Sequence, residues 1–129
     1  MLDTNIVSDL IRNPAGKAAA HLRAVGDHDL AVSIITAAEL RFGAVKSGST
    51  RLLSRVEAIL DTLGVLPFDV PADAEYANIR AELEASGQPI GPNDLLIAAH
   101  ARSLGTAIVT SNATEFSRVR GLAVENWLD

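Results

Sequence analysis

Cysteine is missing from all 129 residues of the chain. Disulfides, thiolate metal sites and thiol nucleophiles are excluded together, and a reducing, cytoplasmic setting is the expectation that fits. No apolar run approaches the roughly 18–20 residues of a membrane span, so no membrane partner is expected. Nothing at the N-terminus reads as a signal peptide, because Asp3 interrupts it and no basic segment precedes an apolar one. Internal repeats, low-complexity tracts and linkers are lacking, as is a hairpin signal such as Asn-Gly. No lysine follows Lys46.

The 48% hydrophobic fraction excludes disorder, and the length suits one domain over residues 1–129 with a full core. Net charge is −5, unevenly spread: residues 1–55 carry seven bases and five acids, residues 56–129 four bases and eleven acids. The halves are therefore +2 and −7. An acidic total still allows a basic surface over the first half, although scattered charges on solvated helix faces explain the same count.

Residues 1–5 read as the end of a short strand that breaks into a helix over 6–12, stopped by Asn13-Pro14. A second helix is expected over 14–25, with Ala18, Leu22 and Val25 on one face and His21 at the surface, then a turn at Gly26-Asp27-His28. Residues 30–33 suit a compact strand. The helix expected over 34–45 has Ile35, Ala38, Phe42 and Val45 as its apolar stripe, with Glu39 at the edge. Residues 51–63 form an amphipathic helix paired with it as a hairpin. A strand over 65–70, a helix over 73–83, a strand over 106–110, a short helix from Ser111 and a strand over 122–127 follow.

Between the last two of these helices stands Ile90-Gly91-Pro92-Asn93-Asp94-Leu95-Leu96-Ile97-Ala98-Ala99. Pro92 suits the first helical position, since its φ is already helical and its missing N–H would have lacked a partner. Gly91 is then the cap and Asp94 falls in the first turn, where a negative charge is favoured by about 0.3–1 kcal/mol. Spacing adds a second reading, because Asp94, Ile97, Ala98, Ala101 and Leu104 share one stripe. A carboxylate on a burying face needs a cation, and Arg80 and Arg102 are the nearest in sequence.

Four or five strands separated by helices predict an α/β fold, a three-layer α/β/α domain with a mostly parallel four- or five-stranded sheet. Sites in such sheets gather outside the carboxyl ends of the strands. Asp3, Glu39, Asp94 and the pair Asn112 and Glu115 all map to that end. Several carboxylates in one cleft stay ionised only if a cation offsets them. Oxygen ligands without Cys or a well-placed His select Mg²⁺ or Mn²⁺ over zinc. The matching chemistry is phosphodiester hydrolysis, with the metal lowering the pKa of a bound water.

Met1-Leu2-Asp3-Thr4-Asn5, Ser33 through Leu40, Ile90 through Ala99 and Thr110 through Phe116 resemble the four acidic motifs of PIN-domain ribonucleases. More narrowly they resemble the VapC toxins of bacterial toxin–antitoxin pairs, in motif order and spacing over nearly the whole chain. The resemblance implies a metal-dependent endoribonuclease in which Asp3, Glu39 and Asp94 hold the metal and Glu115 assists. Thr4, Asn5, Thr110 and Asn112 would support them. It also implies a homodimer, a cognate antitoxin whose C-terminal segment enters the active-site groove, contact with DNA only through that antitoxin, and an RNA substrate, commonly transfer RNA. Arg12, Lys17 and Arg41 are the candidates to guide substrate phosphates.

Two departures stand out. The family often has Asp where this chain has Asn112, which keeps an oxygen ligand but loses the charge, and relatives usually carry a few more residues before the first Asp. Asn112 motivates the competing view, a catalytically weak PIN-like protein that acts through the antitoxin and DNA complex. A phosphoacceptor receiver or a haloacid-dehalogenase-type phosphatase would need a late Lys that this chain lacks.

Overall fold

The computed structural model describes residues 1–26 and 30–129, so the turn expected at Asp27 and His28 lies outside the described residues. Among these described residues, four short strands, β1 (Val32–Ser33), β2 (Val65–Leu66), β3 (Ile108–Val109) and β4 (Val124–Glu125), form two parallel pairs. In β1 and β2, Val32 faces Val65, and in β3 and β4, Ile108 faces Val124. The N-terminal segment joins the pairs. Leu2 bridges to Val109 in parallel, and its N–H donates to the Ala31 carbonyl at 3.0 Å.

Among the described residues, seven helices surround this sheet: α1 (Thr4–Arg12), α2 (Lys17–Val25), α3 (Ile34–Ser47), α4 (Thr50–Leu63), α5 (Ala72–Ala85), α6 (Pro92–Ser103) and α7 (Ala113–Phe116). Successive strand residues point to opposite faces, and the two cores divide accordingly. Leu2, Val32 and Val109 pack with Ile6, Leu10, Leu40, Val56 and Leu60 from α1, α3 and α4. Their neighbours Met1 and Ile108 pack on the other side with Ile79, Leu83, Leu95 and Ile97 from α5 and α6. The expected three-layer α/β/α arrangement is what forms, and no helix among the described residues is long and apolar enough to cross a membrane.

Helix ends explain where the expected boundaries move. Asp3 itself caps α1 by accepting from the Thr4 amide, so that helix begins at Thr4. The second helix starts three residues later than expected, because Asn13 to Gly16 closes a turn in which the Gly16 N–H donates to the Asn13 carbonyl. Ser33 caps α3 by accepting from Ile35 N–H, and Gly48, at φ +70°, ends it in the left-handed conformation that glycine tolerates. Ser49 then caps α4, and the two helices pack as the expected hairpin. Gly91 and Pro92 open α6 as read from the sequence.

Two expected stripes are corrected. On α3 the buried residues are Thr36, Ala37, Leu40 and Ala44, whereas Phe42 and Val45 are 67% and 69% exposed. The small side chains turn inward because α3 packs against both α1 and α4, where Ala37 and Ala44 admit close approach. On α6, Leu104 caps the helix in solvent, while Ile97, Ala98 and Ala101 are buried as expected.

Candidate active site

Asp3 is the most deeply set acid of the site, 2% exposed at the junction of the N-terminal segment and α1. Its Oδ1 accepts from the Thr4 amide and its Oδ2 from the Thr110 hydroxyl, both at 2.8 Å. Burial pushes its pKa above the ordinary carboxylate value, and these hydrogen bonds oppose the rise. Thr110 follows β3, so sheet and helix jointly orient one carboxylate.

Glu39 reaches the same place from α3. Its Oε1 accepts from the Thr4 hydroxyl at 2.6 Å, and its Oε2 accepts from the Asn93 amide at 3.1 Å. The buried Thr36, one turn before Glu39, lies with its hydroxyl 3.2 Å from that of Thr4. Neither Asn93 nor Thr36 stood out in the sequence. Their signals were there, Thr36 at the i−3 position from Glu39 and Asn93 adjoining Asp94.

Asp94, half-buried in the first turn of α6, has its pKa pushed up to about 6. Burial contributes most, then the charges of Asp3 and Glu115 and, less, of Glu39, while a hydrogen bond from Asn112 opposes them. One group therefore feels all three other acids, so the four expected from the sequence share one electrostatic field. Glu115 on α7 is shifted the other way: Gly91 N–H donates to its Oε1 at 2.7 Å and the Asn112 amide to its Oε2 at 2.5 Å, which lowers its pKa.

Asn112 turns its amide nitrogen to the acids, 3.3 Å from Asp94 Oδ2 and 2.5 Å from Glu115 Oε2. It is thus a donor to them, a role for its nitrogen that the sequence reading, which placed Asn112 among the supporting groups, did not foresee. Asn5 supports from behind, its Oδ1 accepting from the Ser111 N–H at 3.1 Å and so fixing the segment after β3.

The three basic candidates part company. Arg12 lines a groove of about 250 Å³ with Thr4, Ser8, Glu39, Leu40 and Val56, and so shares it with one of the four acids. Lys17 is exposed in a neighbouring depression that it shares with Arg12 and Asn13. Arg41 is engaged in a two-pronged ion pair with Glu57 on the outer flank of α3 and α4, at 2.7 and 3.0 Å. That flank includes none of the four acids.

The donor set is all oxygen and strongly self-repelling, which suits a hard divalent cation. Among the described residues, no three Asp, Glu or His side chains are already gathered into a coordination group. Hydrogen bonding accounts for this, since Glu39 is turned to Thr4 and Asn93, and Glu115 to Gly91 and Asn112.

A parallel α/β sheet with four acids and three asparagines at one end defines a class, and comparison with known proteins agrees: residues 1–122 match the PIN domain model, and the chain belongs to that family. Within it, the chain is 41% identical over 128 residues to the tRNA(fMet)-specific endonuclease VapC of Shigella flexneri, covering 98% of this chain and 96% of that protein. It is 43% identical over 130 residues to Ribonuclease VapC2 of Haemophilus influenzae, with 99% and 97% covered. Among solved structures, VapBC2 from Rickettsia felis bound to a DNA fragment from its promoter superposes with a TM-score of 0.92 at 36% identity, over 98% of this chain and 97% of that one.

Proposed function

We propose that the protein is a Mg²⁺- or Mn²⁺-dependent endoribonuclease and the toxin of a toxin–antitoxin pair. The observation that carries this reading is the convergence of Asp3, Glu39, Asp94 and Glu115 at one end of the sheet, where burial first, and then the charges of the other three acids, raise the Asp94 pKa to about 6. The names of two relatives, a tRNA(fMet)-specific endonuclease and a ribonuclease, at 41% and 43% identity over nearly the full chain, support it.

In this reading Asp3, Glu39 and Asp94 hold the cation, and Glu115 assists at the edge. The ion would supply charge neutralisation at the phosphate and a lowered pKa for the attacking water. Thr110 and the Thr4 amide fix Asp3 and oppose the rise in its pKa that burial causes; Thr4 and Asn93 aim Glu39. One of the carboxylates would receive the proton of the attacking water. Arg12, which shares a groove with Glu39, and Lys17 in the adjoining depression would guide RNA phosphates toward the site.

The partners that go with this function are a second copy of the chain and a cognate antitoxin, through which alone the complex would meet DNA. The groove running from Glu39 along Leu40 and Val56 supports an antitoxin segment entering beside the acids. A transfer RNA substrate follows from the Shigella relative's name.

The test is cleavage of structured RNA with and without Mg²⁺ by the wild type and Asp94→Asn. Wild type is expected to cut only with Mg²⁺. The variant should lose at least the roughly 10–100-fold that removing even a supporting partner of a metal site costs. Equal cleavage by both proteins would remove the mechanism.

A further inference from the structure

Asn112 occupies an unusual position among the four acids. Its side-chain nitrogen lies within hydrogen-bond distance of two carboxylates from different helices, Asp94 on α6 and Glu115 on α7. Its backbone N–H donates at 2.9 Å to the Thr110 hydroxyl, which in turn donates to Asp3. A single residue thus connects three of the four acids. The –NH₂ group has two hydrogens and no acceptor capacity, so it can serve both carboxylates at once. An aspartate of the same shape would instead place a third carboxylate against the other two.

We propose that Asn112 is a positioning residue that takes the place of a second cation. Its amide bridges Asp94 and Glu115 and offsets part of their repulsion, so that one divalent ion, which Asp3, Glu39 and Asp94 would hold, suffices to neutralise the site. Glu115 is held off that ion by a second tether, the Gly91 N–H at the mouth of α6. This rests on the metal-dependent reading above and deepens it by fixing the number of ions at one. It also gives the bridge a conditional value. Its donors matter most when no ion is present, because an ion bound to Asp94 removes much of the repulsion that the amide otherwise offsets.

Two measurements on the whole chain test this without relying on cleavage. The first counts Mn²⁺ bound per chain by calorimetric titration. Wild type is expected to bind one ion and Asn112→Asp two. The second compares melting temperatures in EDTA and in saturating Mn²⁺ for wild type and Asn112→Ala, which removes the bridge without adding charge. The variant should melt several degrees below wild type in EDTA and close to it in Mn²⁺. A residue with a purely structural role would lower both melting temperatures equally.

Two ions in wild type, or one ion in both wild type and Asn112→Asp, overturns the proposal while leaving metal binding intact. No ion in wild type overturns the metal reading and this inference with it. If Asn112→Asp fails to fold, the Asn112→Ala comparison decides alone, and an equal loss in both conditions counts against the bridge.

Discussion

Helices α3 and α6 both deliver an acid to the same cleft, yet they are built on opposite plans. α6 buries Leu95, Ile97, Ala98, Ala99, His100 and Ala101, nearly its whole circumference, and shows solvent little beyond its ends. α3 buries Thr36, Ala37, Leu40 and Ala44 and leaves Ile34, Phe42 and Val45 outside. Asp94 is therefore anchored by a helix locked in the core. Glu39 sits on a helix with two apolar sides, and its carboxylate depends on tethers from Thr4 and Asn93. Apolar periodicity tells that a face avoids water; side-chain size decides which face meets the rest of the chain.

The largest test of this contrast removes a core side chain from α6. Ile97→Ala is expected to cost about 2–5 kcal/mol in urea unfolding, through lost burial and the cavity left behind. A smaller effect is expected where the two helices meet. Ser33 caps α3 and its hydroxyl lies 2.7 Å from Nδ1 of the buried His100 on α6. Because Ser33 Oγ already accepts from Ile35 N–H, its own hydrogen is free to be donated to the ring. Ser33→Ala should cost about 1–3 kcal/mol, combining a lost cap with an unsatisfied buried nitrogen. A loss below about 0.5 kcal/mol would mean that the two acid-bearing helices are not coupled through this pair.

These two helices also mark how far the sequence could be read. Opening residues of α6 were legible because Gly91, Pro92 and Asp94 act locally, through φ, a missing donor and a helix dipole. Glu39 was legible as an acid beside an apolar stripe, but the stripe chosen, Phe42 and Val45, is the outer one. Sequence spacing could not weigh Ala37 and Ala44 against Phe42, since the preference for small residues comes from α1 and α4 packing against α3. Roles of Asn93 and of the Asn112 nitrogen were hidden for a related reason. Which end of an amide faces a carboxylate is settled by partners on other elements, here Glu39, Asp94 and Glu115.

A milder effect concerns pH. Asp94 titrates near 6 in the folded protein, above its unfolded value of about 4, so the fold holds more protons between these values. In metal-free protein its contribution makes stability fall as pH rises from about 4 to about 6 and stay flat above. His100, with its pKa lowered by burial, gives a slope of opposite sign in an overlapping range. The readout is therefore the difference between wild type and Asp94→Asn, in which His100 cancels. Above pH 6 in EDTA the variant is expected to melt higher than wild type, and by pH 4 the gain should vanish. A variant that melts lower throughout would show that the Asp94 charge is not repelled by its neighbours.

The smallest expected effect is also the sharpest contrast with Ile97. Phe42→Ser removes a larger side chain, but one that is 67% exposed, so at concentrations where the chain is monomeric the change should stay within about 0.5 kcal/mol. A drop of several kcal/mol persisting on dilution would mean that the outer face of α3 is packed within its own chain, and the distinction from α6 would collapse. If instead the wild-type midpoint falls on dilution and that of Phe42→Ser does not, a second copy covers Phe42. Ile97 excludes water through its own fold; Phe42 would then do so only through a partner.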